Sequence, residues 1–422
     1  MSKSISSVQC TVYRARARST PQVISFDTGK DLTVTPVGTV GPRRISPIAA
    51  DLLDFAAAVF QIERQIRGQQ VTNPPEKIEL RMRLRRPRSW GGEATAAAGW
   101  ILHLLGNAVW SFKFEGGLKQ PVPEHENEED RGVEQVLLLS GGMDSACGAA
   151  VEAHGAVRTK PVSFYTRQKS LQSGIATDLG YTSHSQWRID WNGKAGPGHS
   201  FYYRSFLFLS LAAVVAESCG ARTILQYENG VLATAIPPSP VWMMTKHTHP
   251  LLHKYAAELF SALFGGEWEI RNPFLPLTKR GCVQTATAAV GEEKITEILK
   301  RTETCWYHWS NRIRGGKKKP GVPCGTCVPC VVRRTALPDE AYANDLLKDS
   351  VRNHKVKGAT FRSYYGFLSR VIEAGNSPEK FYTALPPAGK TTLISGSGIS
   401  LNGLQKLFST FAQEFMQTYR LK

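Results

Sequence analysis

The stretch VLLLSGGMDS, residues 136–145, decides the fold prediction, because it joins an apolar strand to a glycine turn and then to a helix of small residues. A continuous apolar strand is typical of a parallel sheet that is covered on both faces. Gly141 and Gly142 allow positive φ and close backbone approach, and free N–H groups at a helix N-terminus attract anions. The stretch therefore predicts a phosphate-binding loop. A glycine turn that only joins strand to helix is the alternative.

Six residues form this predicted ATP-binding loop: Ser140, Gly141, Gly142, Met143, Asp144 and Ser145. The serine hydroxyls can donate to a phosphate, whereas an ionised aspartate only accepts. Asp144 is therefore predicted to bind Mg²⁺ or to fix the loop, and we expect it on a surface turn. The chain has no G-x-x-x-x-G-K-[ST] motif, so a cradle for a γ-phosphate is not indicated.

Strands and helices alternate after this loop. Apolar runs at Val162–Tyr165 and Thr223–Tyr227 read as strands, and Arg204–Ser218 reads as a long apolar helix. This alternation predicts an α/β fold with a doubly wound parallel sheet. Ligands bind such sheets outside the carboxyl ends of the strands. Glu228 and Asn229 directly follow a strand, so we expect them to face the ligand crevice.

Composition and charge limit the class of protein. With 422 residues, 42% of them hydrophobic, the chain is long enough for two or three globular domains. The apolar run Phe206–Ala216 is shorter than the ~20 residues that span a bilayer, and we see no signal pattern, so we expect a cytoplasmic protein with no membrane partner. The net charge of +17 favours an anionic partner such as ATP, a nucleic acid or an acidic protein.

Four cysteines cluster late in the chain, at Cys305, Cys324, Cys327 and Cys330. In a reducing compartment, clustered cysteines favour a metal site over disulfides. The run CGTCVPC contains two overlapping C-x-x-C steps, which place three thiolates in one knuckle, and Cys305 completes a closed tetrahedral site for a structural Zn²⁺. An iron–sulfur cluster and a redox-active cysteine pair are the alternatives.

Three domains are predicted. An acidic stretch that contains prolines, Pro121–Arg131, reads as a linker, so residues 1–134 form an accessory α/β domain. Residues 135–337 hold both motifs and form the core, and residues 338–422 form a helical extension. The main predicted elements outside the core are strands at Val8–Tyr13 and Ile78–Leu84 and helices at Pro47–Ile66, Glu93–Leu105 and Leu404–Tyr419.

The two motifs together resemble the PP-loop ATP pyrophosphatases. SGGMDS is similar to their SGGxDS signature, and a distant cysteine before CGTCVPC is similar to the zinc knuckle of the QueC-like 7-cyano-7-deazaguanine synthases. RSFLFLSLAA, which begins at Arg204, and NPFLPLTK, which ends at Lys279, are similar to further segments of that family, although Ser205 replaces its asparagine. The resemblance spans about Val136–Leu337, half of the chain.

Other segments point to one branch of that family. YENG at Tyr227–Gly230, THP at Thr248–Pro250 and the knuckle ending CVVRR look more like the QatC proteins of Qat anti-phage defence systems. Long extra segments at both ends of the chain strengthen this resemblance.

The resemblance implies a PP-loop (adenine nucleotide alpha hydrolase-like) fold with a Cys₄ zinc knuckle. It also implies a C–N ligase that uses ATP to adenylate a 7-deazaguanine carboxylate, releases pyrophosphate and forms an amide with an amine, which we expect on a partner protein of the same defence system. The implied catalytic residues are Asp144, Ser145, Arg204 and Lys279. The implied substrate-binding residues are Glu228, Asn229, Thr248 and His249.

Several alternatives remain open at this point. The chain can instead be a housekeeping synthase that forms the nitrile, or a binding module that kept the fold without the reaction. A PP-loop enzyme that modifies tRNA is a third possibility, which the basic insertion Arg312–Lys319 favours. For Arg204 and Lys279, solvated charges at helix ends are the alternative.

Overall fold

The computed structural model describes residues 6–14, 20–37, 45–66, 75–119, 122, 132–193, 202–239, 244–308, 310–313, 316–387, 389–390 and 399–421. Apart from Val122, the predicted linker Pro121–Arg131 lies outside these ranges, and so does Arg314 of the basic insertion.

The described residues form the following α-helices: α1 (Pro47–Gln65), α2 (Gly92–Gly106), α3 (Met143–Glu152), α4 (Lys169–Asp178), α5 (Arg204–Cys219), α6 (Gly230–Ala233), α7 (Pro250–Phe264), α8 (Lys279–Val290), α9 (Glu292–Arg301), α10 (Val328–Ala336), α11 (Asp349–Arg352), α12 (Ala359–Ala374), α13 (Pro378–Ala384) and α14 (Leu401–Tyr419). The strands are β1 (Val8–Arg14), β2 (Gln22–Phe26), β3 (Leu32–Val37), β4 (Pro75–Arg83), β5 (Val109–Glu115), β6 (Gln135–Leu138), β7 (Thr159–Phe164), β8 (Ser185–Trp191), β9 (Thr223–Leu225), β10 (Glu269–Arg271), β11 (Arg312–Ile313) and β12 (Gly316–Lys317). The helices predicted at both ends of the chain are confirmed to within three residues.

Six strands form the central sheet, in the order β10-β9-β6-β7-β8-β3. The first five are parallel, and β3 closes the edge antiparallel to β8, with Val34 opposite Ile189. Counted along the chain from β6, the parallel strands stand in the order 5-4-1-2-3, which is that of a doubly wound sheet whose direction of winding reverses between β6 and β9. The predicted α/β fold with a parallel sheet is confirmed.

Helices cover both faces of this sheet. Val136 and Leu138 of β6 belong to the apolar cluster that includes α1, α5 and α7, whereas Leu137 belongs to the cluster of α3, α8 and α9. Neighbouring residues of a strand point to opposite faces, so a strand that is apolar throughout requires this double cover. Within the described ranges, none of the helices has the length and apolarity needed to cross a membrane.

The N-terminal segment is joined closely to the central sheet. Its own sheet has the order β2-β1-β4-β5, but β3 belongs to the central one, and α1 shares an apolar cluster with α5. The buried Glu63 carboxylate of α1 accepts the backbone N–H groups of Tyr202 (2.5 Å) and Tyr203 (3.0 Å), directly before α5. The domain boundary at residue 134 stays a prediction, and the segment before it supports the core directly.

The C-terminal helices lie against the knuckle and α8. Phe408 of α14 and Val331 of α10 belong to one apolar cluster, and the Tyr419 hydroxyl donates to the Val331 carbonyl (3.2 Å). Thr278, which caps α8, donates its hydroxyl to Glu414 Oε1 of α14 (2.9 Å). Helix α14 therefore braces the helix that begins with Lys279.

Candidate functional site

The predicted phosphate loop connects β6 to α3. Gly141 has φ +83°, which favours glycine, whereas Gly142 has φ −81° and caps α3, so the expected positive φ is found at only one of the two glycines. The Ser145 hydroxyl donates to the Gly142 carbonyl (3.0 Å), and its oxygen accepts the Ser140 N–H (3.2 Å). Ser145 therefore holds the turn closed from within.

Asp144 lies in the first turn of α3 and is only 5% exposed, so the expectation of a surface turn is wrong. Its Oδ2 accepts hydrogen bonds from Lys279 Nζ and from Asn229 Nδ2 (3.1 Å). Its Oδ1 is buried and has no hydrogen-bond partner among the described residues. A buried carboxylate oxygen without a partner is rare and needs a donor or a cation, and a protonated Glu228, which hydrogen-bonds the Asp144 side chain, is one donor at hand.

Lys279 begins α8 and is 1% exposed, which excludes the alternative of a solvated helix end. Its ammonium lies between the Asp144 carboxylate and Glu228 Oε1, 3.8 Å away. Asn229 Nδ2 also donates to Glu228 Oε1 (2.8 Å). Four predicted site residues from three chain segments thus meet where β6 and β9 end, at the switch point of the sheet.

The charges of this cluster are set by burial and by mutual contact. Burial favours neutral Asp144, but the Lys279 ammonium and hydrogen bonds lower the pKa of its carboxyl below the ordinary value. Burial and the Asp144 carboxylate raise the pKa of Glu228 well above its ordinary value. Burial opposes the charge on Lys279, yet the two carboxyls raise the pKa of its ammonium. The cluster therefore favours one ion pair, between Asp144 and Lys279, beside a Glu228 carboxyl whose raised pKa favours its neutral form.

This assignment predicts a pH-dependent effect of Glu228→Gln, since glutamine imitates the protonated acid. A carboxyl with a raised folded pKa contributes stability that is fully present below its unfolded pKa of 4.5 and is lost as pH rises through the folded pKa. Between the unfolded and the folded pKa of Glu228, we expect the free energy of unfolding of Glu228→Gln to increase relative to that of the wild type by about 1.4 kcal/mol per pH unit. Urea unfolding at pH 5, 7 and 9 measures the gain.

Glu297→Gln is the control, because Glu297 lies exposed on α9 beside Lys300. Hydrogen bonding to Lys300 lowers its pKa, so no gain is expected there at high pH. Stability curves for Glu228→Gln that run parallel to the wild type would contradict the protonated assignment.

Gly148 of α3 lets this helix approach the chain segment that carries Glu228. A Cβ added at Gly148 would lie 2.1 Å from Tyr227 Cγ. We therefore expect Gly148→Ala to destabilise the chain by about 1–3 kcal/mol in urea unfolding. Gly99→Ala in α2 is the matched control, because its Cβ would only meet Phe112 at 3.9 Å, and alanine favours a helix by about 0.5–1 kcal/mol. Equal effects of the two changes would contradict the close approach.

Three residues that the sequence reasoning missed hold the site in place. The Asn272 side chain accepts the Glu228 N–H (3.1 Å) and donates to the Glu228 carbonyl (2.8 Å). His253 Nε2 lies 2.9 Å from Gln226 Oε1, directly after β9. Asn272 is the first residue of the NPFLPLTK segment, so the resemblance of that segment to the family could have indicated that Asn272 belongs to the site. Gln226 and His253 carry no motif.

Thr248 and His249 directly follow His247, whose carbonyl accepts a hydrogen bond from Gln226 Nε2 (3.4 Å). His249 caps α7, where its Nδ1 accepts the Leu251 N–H (3.2 Å). Burial lowers the pKa of His249 to about 4, so it is neutral at pH 7. Among the described residues, no hydrogen bond or ion pair joins Thr248 or His249 to Asp144. Their predicted role in substrate binding stays a prediction.

Arg204 begins α5 and is exposed, and its guanidinium lies over the Phe208 ring at 5.7 Å. Because α5 covers the sheet face opposite α3, Arg204 approaches the carboxyl edge from the other side. Its predicted catalytic role stays a prediction.

The four clustered cysteines form a candidate metal centre. Their Sγ atoms all lie within 4.8 Å of one another. The Sγ atoms of Cys324 and Cys330 are 3.9 Å apart. Four Zn–S bonds of ~2.3 Å in a tetrahedron require S···S distances of ~3.8 Å. Backbone N–H groups of Tyr307 (3.3 Å) and Cys324 (3.2 Å) point at Cys305 Sγ. Hydrogen bonds from the other three thiols lower the pKa of Cys324. The four-cysteine group can therefore hold a metal such as zinc.

A cavity of about 670 Å³ lies beside this metal centre, and its lining residue Glu303 donates its backbone N–H to the Gly141 carbonyl of the phosphate loop (3.1 Å). Its lining includes Arg167, Gln168, Glu303, Trp306 and His308. The Glu303 carboxylate accepts Gln168 Nε2 (3.1 Å) and lies 3.4 Å from His308 Nε2. Trp306, directly after a cysteine of the metal centre, is 55% exposed. The cavity thus combines an aromatic surface with polar groups beside the loop.

The assembled site combines three kinds of chemical group in one crevice. The glycine loop and the start of α3 present N–H groups for an anion, Asp144 Oδ1 can accept a cation, and Lys279 supplies a buried positive charge. Such a set suits a phosphate-bearing ligand accompanied by a divalent ion. When the chain is compared with models of known protein families and with curated proteins, it matches none of them.

Proposed function

We propose that the chain is an ATP-dependent C–N ligase of the PP-loop type. It adenylates a 7-deazaguanine carboxylate, releases pyrophosphate and forms an amide with an amine. The observation that carries this proposal is the buried Asp144–Lys279 pair directly under the SGGMDS loop, at the switch point of a doubly wound sheet. Resemblance of the loop and knuckle to the QueC-like synthases supplies the substrate class.

In this reaction the loop N–H groups bind the pyrophosphate that leaves. Asp144 Oδ1 would hold Mg²⁺, which supplies charge neutralisation for the phosphates when bound. Lys279 stabilises negative charge that grows on the transferring α-phosphate, because a buried ammonium acts in a medium of low dielectric constant. Binding also aligns the carboxylate with the α-phosphorus. The zinc held by the four cysteines is structural, since the closed set leaves no ligand position free.

Glu228 and Asn229 have different proposed roles: Glu228 contacts the substrate, and Asn229 positions its neighbours. Both N–H groups of the Asn229 amide are used, by Asp144 and Glu228, and its Oδ1 accepts the Leu232 N–H (3.3 Å). Asn229 is fully buried, so it positions its neighbours. The Glu228 side chain is 27% exposed and its raised pKa favours the neutral acid, which both donates and accepts, so it suits the polar edge of a guanine-like ring.

The acceptor amine is proposed to lie on a partner protein of an anti-phage defence system. Besides the contacts that support the core, the segments before residue 135 and after residue 337 add surface on which a partner can dock, and the basic chain suits an acidic partner. Lys318 of the basic insertion is 9% exposed and donates to the His308 carbonyl (2.9 Å), so this charge is structural. Arg312, Lys317 and Lys319 of the same insertion are exposed, so the tRNA alternative stays open. ATP and free thiols suit a reducing cytoplasm.

The decisive experiment is ATP–pyrophosphate exchange with 7-carboxy-7-deazaguanine. We expect exchange that requires this carboxylate, with 7-deazaguanine that lacks it as the control. Absence of exchange with intact protein would refute adenylation. Mass spectrometry of the products then separates a free amide or nitrile from a mass increase on a protein encoded nearby. A nitrile with unmodified proteins would favour the housekeeping alternative.

A further inference from the structure

The carbonyls of Ser140 and Gly141 in the phosphate loop are both bound by groups from outside the loop. Gln172 Nε2 donates to the Ser140 carbonyl (3.2 Å), and the Glu303 N–H donates to the Gly141 carbonyl (3.1 Å). In a trans peptide the carbonyl and the next N–H point in opposite directions. The Glu303 bond therefore turns the Gly142 N–H the other way, where it donates to Ser140 Oγ (3.2 Å) on the exposed side of the loop.

Glu303 is held in turn by the metal centre. Cys305 is only two residues further along the chain. The Arg333 guanidinium, three residues after Cys330, donates to the hydroxyls of Thr302 (2.8 Å) and Thr304 (3.0 Å). The same guanidinium donates to the Leu299 carbonyl (3.0 Å) and is 2% exposed. The segment 299–305 is thus clamped to the knuckle at several points.

We propose that Glu303 is a positioning residue for the phosphate loop, and that the metal centre sets the loop geometry through Cys305 and through the Arg333 clamp. A metal site remote from the reacting atoms then controls which N–H groups face the nucleotide. The nucleotide part of this inference rests on the proposed function, whereas the coupling between metal centre and loop does not.

The test uses the double variant Thr302→Val/Thr304→Val in the full chain. It removes two acceptors of Arg333 and keeps all four cysteines. Thr285→Val is the matched control, because its hydroxyl only donates to the Gly281 carbonyl (2.9 Å) on the surface of α8. Three quantities are measured on both variants: zinc content, hydrogen exchange of the loop peptide 139–146, and affinity for α,β-methylene-ATP.

We expect the double variant to keep its zinc. The hydrogen-exchange rate of the loop peptide should rise and the affinity for the nucleotide should fall, each by about tenfold, as is usual when a residue that orients the ligands of a site is changed. Zinc removal by a chelator, with the fold checked by circular dichroism, should produce the same changes. Wild-type loop exchange in the folded, zinc-replete double variant would overturn the inference. Failure of the wild type to bind α,β-methylene-ATP would count against the proposed function alone, because loop exchange still decides the coupling.

Discussion

Asp144→Ala is expected to abolish pyrophosphate release, a loss of at least roughly 10³-fold. The change removes the unpartnered Oδ1, which would hold Mg²⁺, and the Oδ2 that orients Lys279 and Asn229. It also leaves the Lys279 ammonium buried without its main partner, which costs about 3–5 kcal/mol of stability. Steady-state pyrophosphate release and urea unfolding measure the two effects.

A double variant separates the functional loss from the structural one. Asp144→Ala/Lys279→Met removes both charges, and replacing a buried pair by apolar groups is often neutral for stability. We expect its unfolding free energy to return towards the wild type while pyrophosphate release stays at background. If the stability-restored protein also regained turnover, Asp144 and Lys279 would be structural and the loop would be no more than a turn.

Cys327→Ser is expected to lower the metal content from one zinc ion per chain to less than about a tenth of that, because a site of four thiolates loses one ligand. The same change should lower the unfolding temperature and the solubility, since metal binding is coupled to folding of the knuckle. Elemental analysis of the purified protein gives zinc and iron together.

Cys219→Ser is the control, because Cys219 is a half-buried cysteine at the end of α5 and is not one of the four clustered cysteines. It should keep full zinc. Zinc retained in Cys327→Ser would refute the four-cysteine assignment. Iron with visible absorption in protein purified without oxygen would establish the iron–sulfur alternative.

Local patterns predicted most of the fold. The helix expected at Pro47–Ile66 is α1, and the apolar strand before the loop is β6. The pattern did not predict β3, because LTVTPV is short and contains Pro36, and its assignment depends on pairing with β8 about 150 residues away. Glu63 was also missed, since a glutamate is usually exposed and this one is buried as the cap of another helix.

The candidate site was predictable in its loop and cysteines, where spacing alone brings chemical groups together. Lys279 was identified only by resemblance, and its contact with Asp144 spans 135 residues, which no local period encodes. Asn272 and Arg333 act through backbone carbonyls and hydroxyls, and such contacts depend on how three segments pack. Sequence patterns therefore located the reactive groups and the segment that contains Asn272, while the contacts that orient the site are visible only in the tertiary structure.

The antiparallel strand β3 has a consequence for how the chain folds during synthesis. Leu32–Val37 leaves the ribosome long before its partner Ser185–Trp191, so β3 stays unpaired until β8 has been made. Contacts this distant in sequence close slowly, and an unpaired strand edge is prone to aggregation. Removing residues up to Val37 would leave β8 as a bare edge. The N-terminal segment thus protects the central sheet against association with other chains.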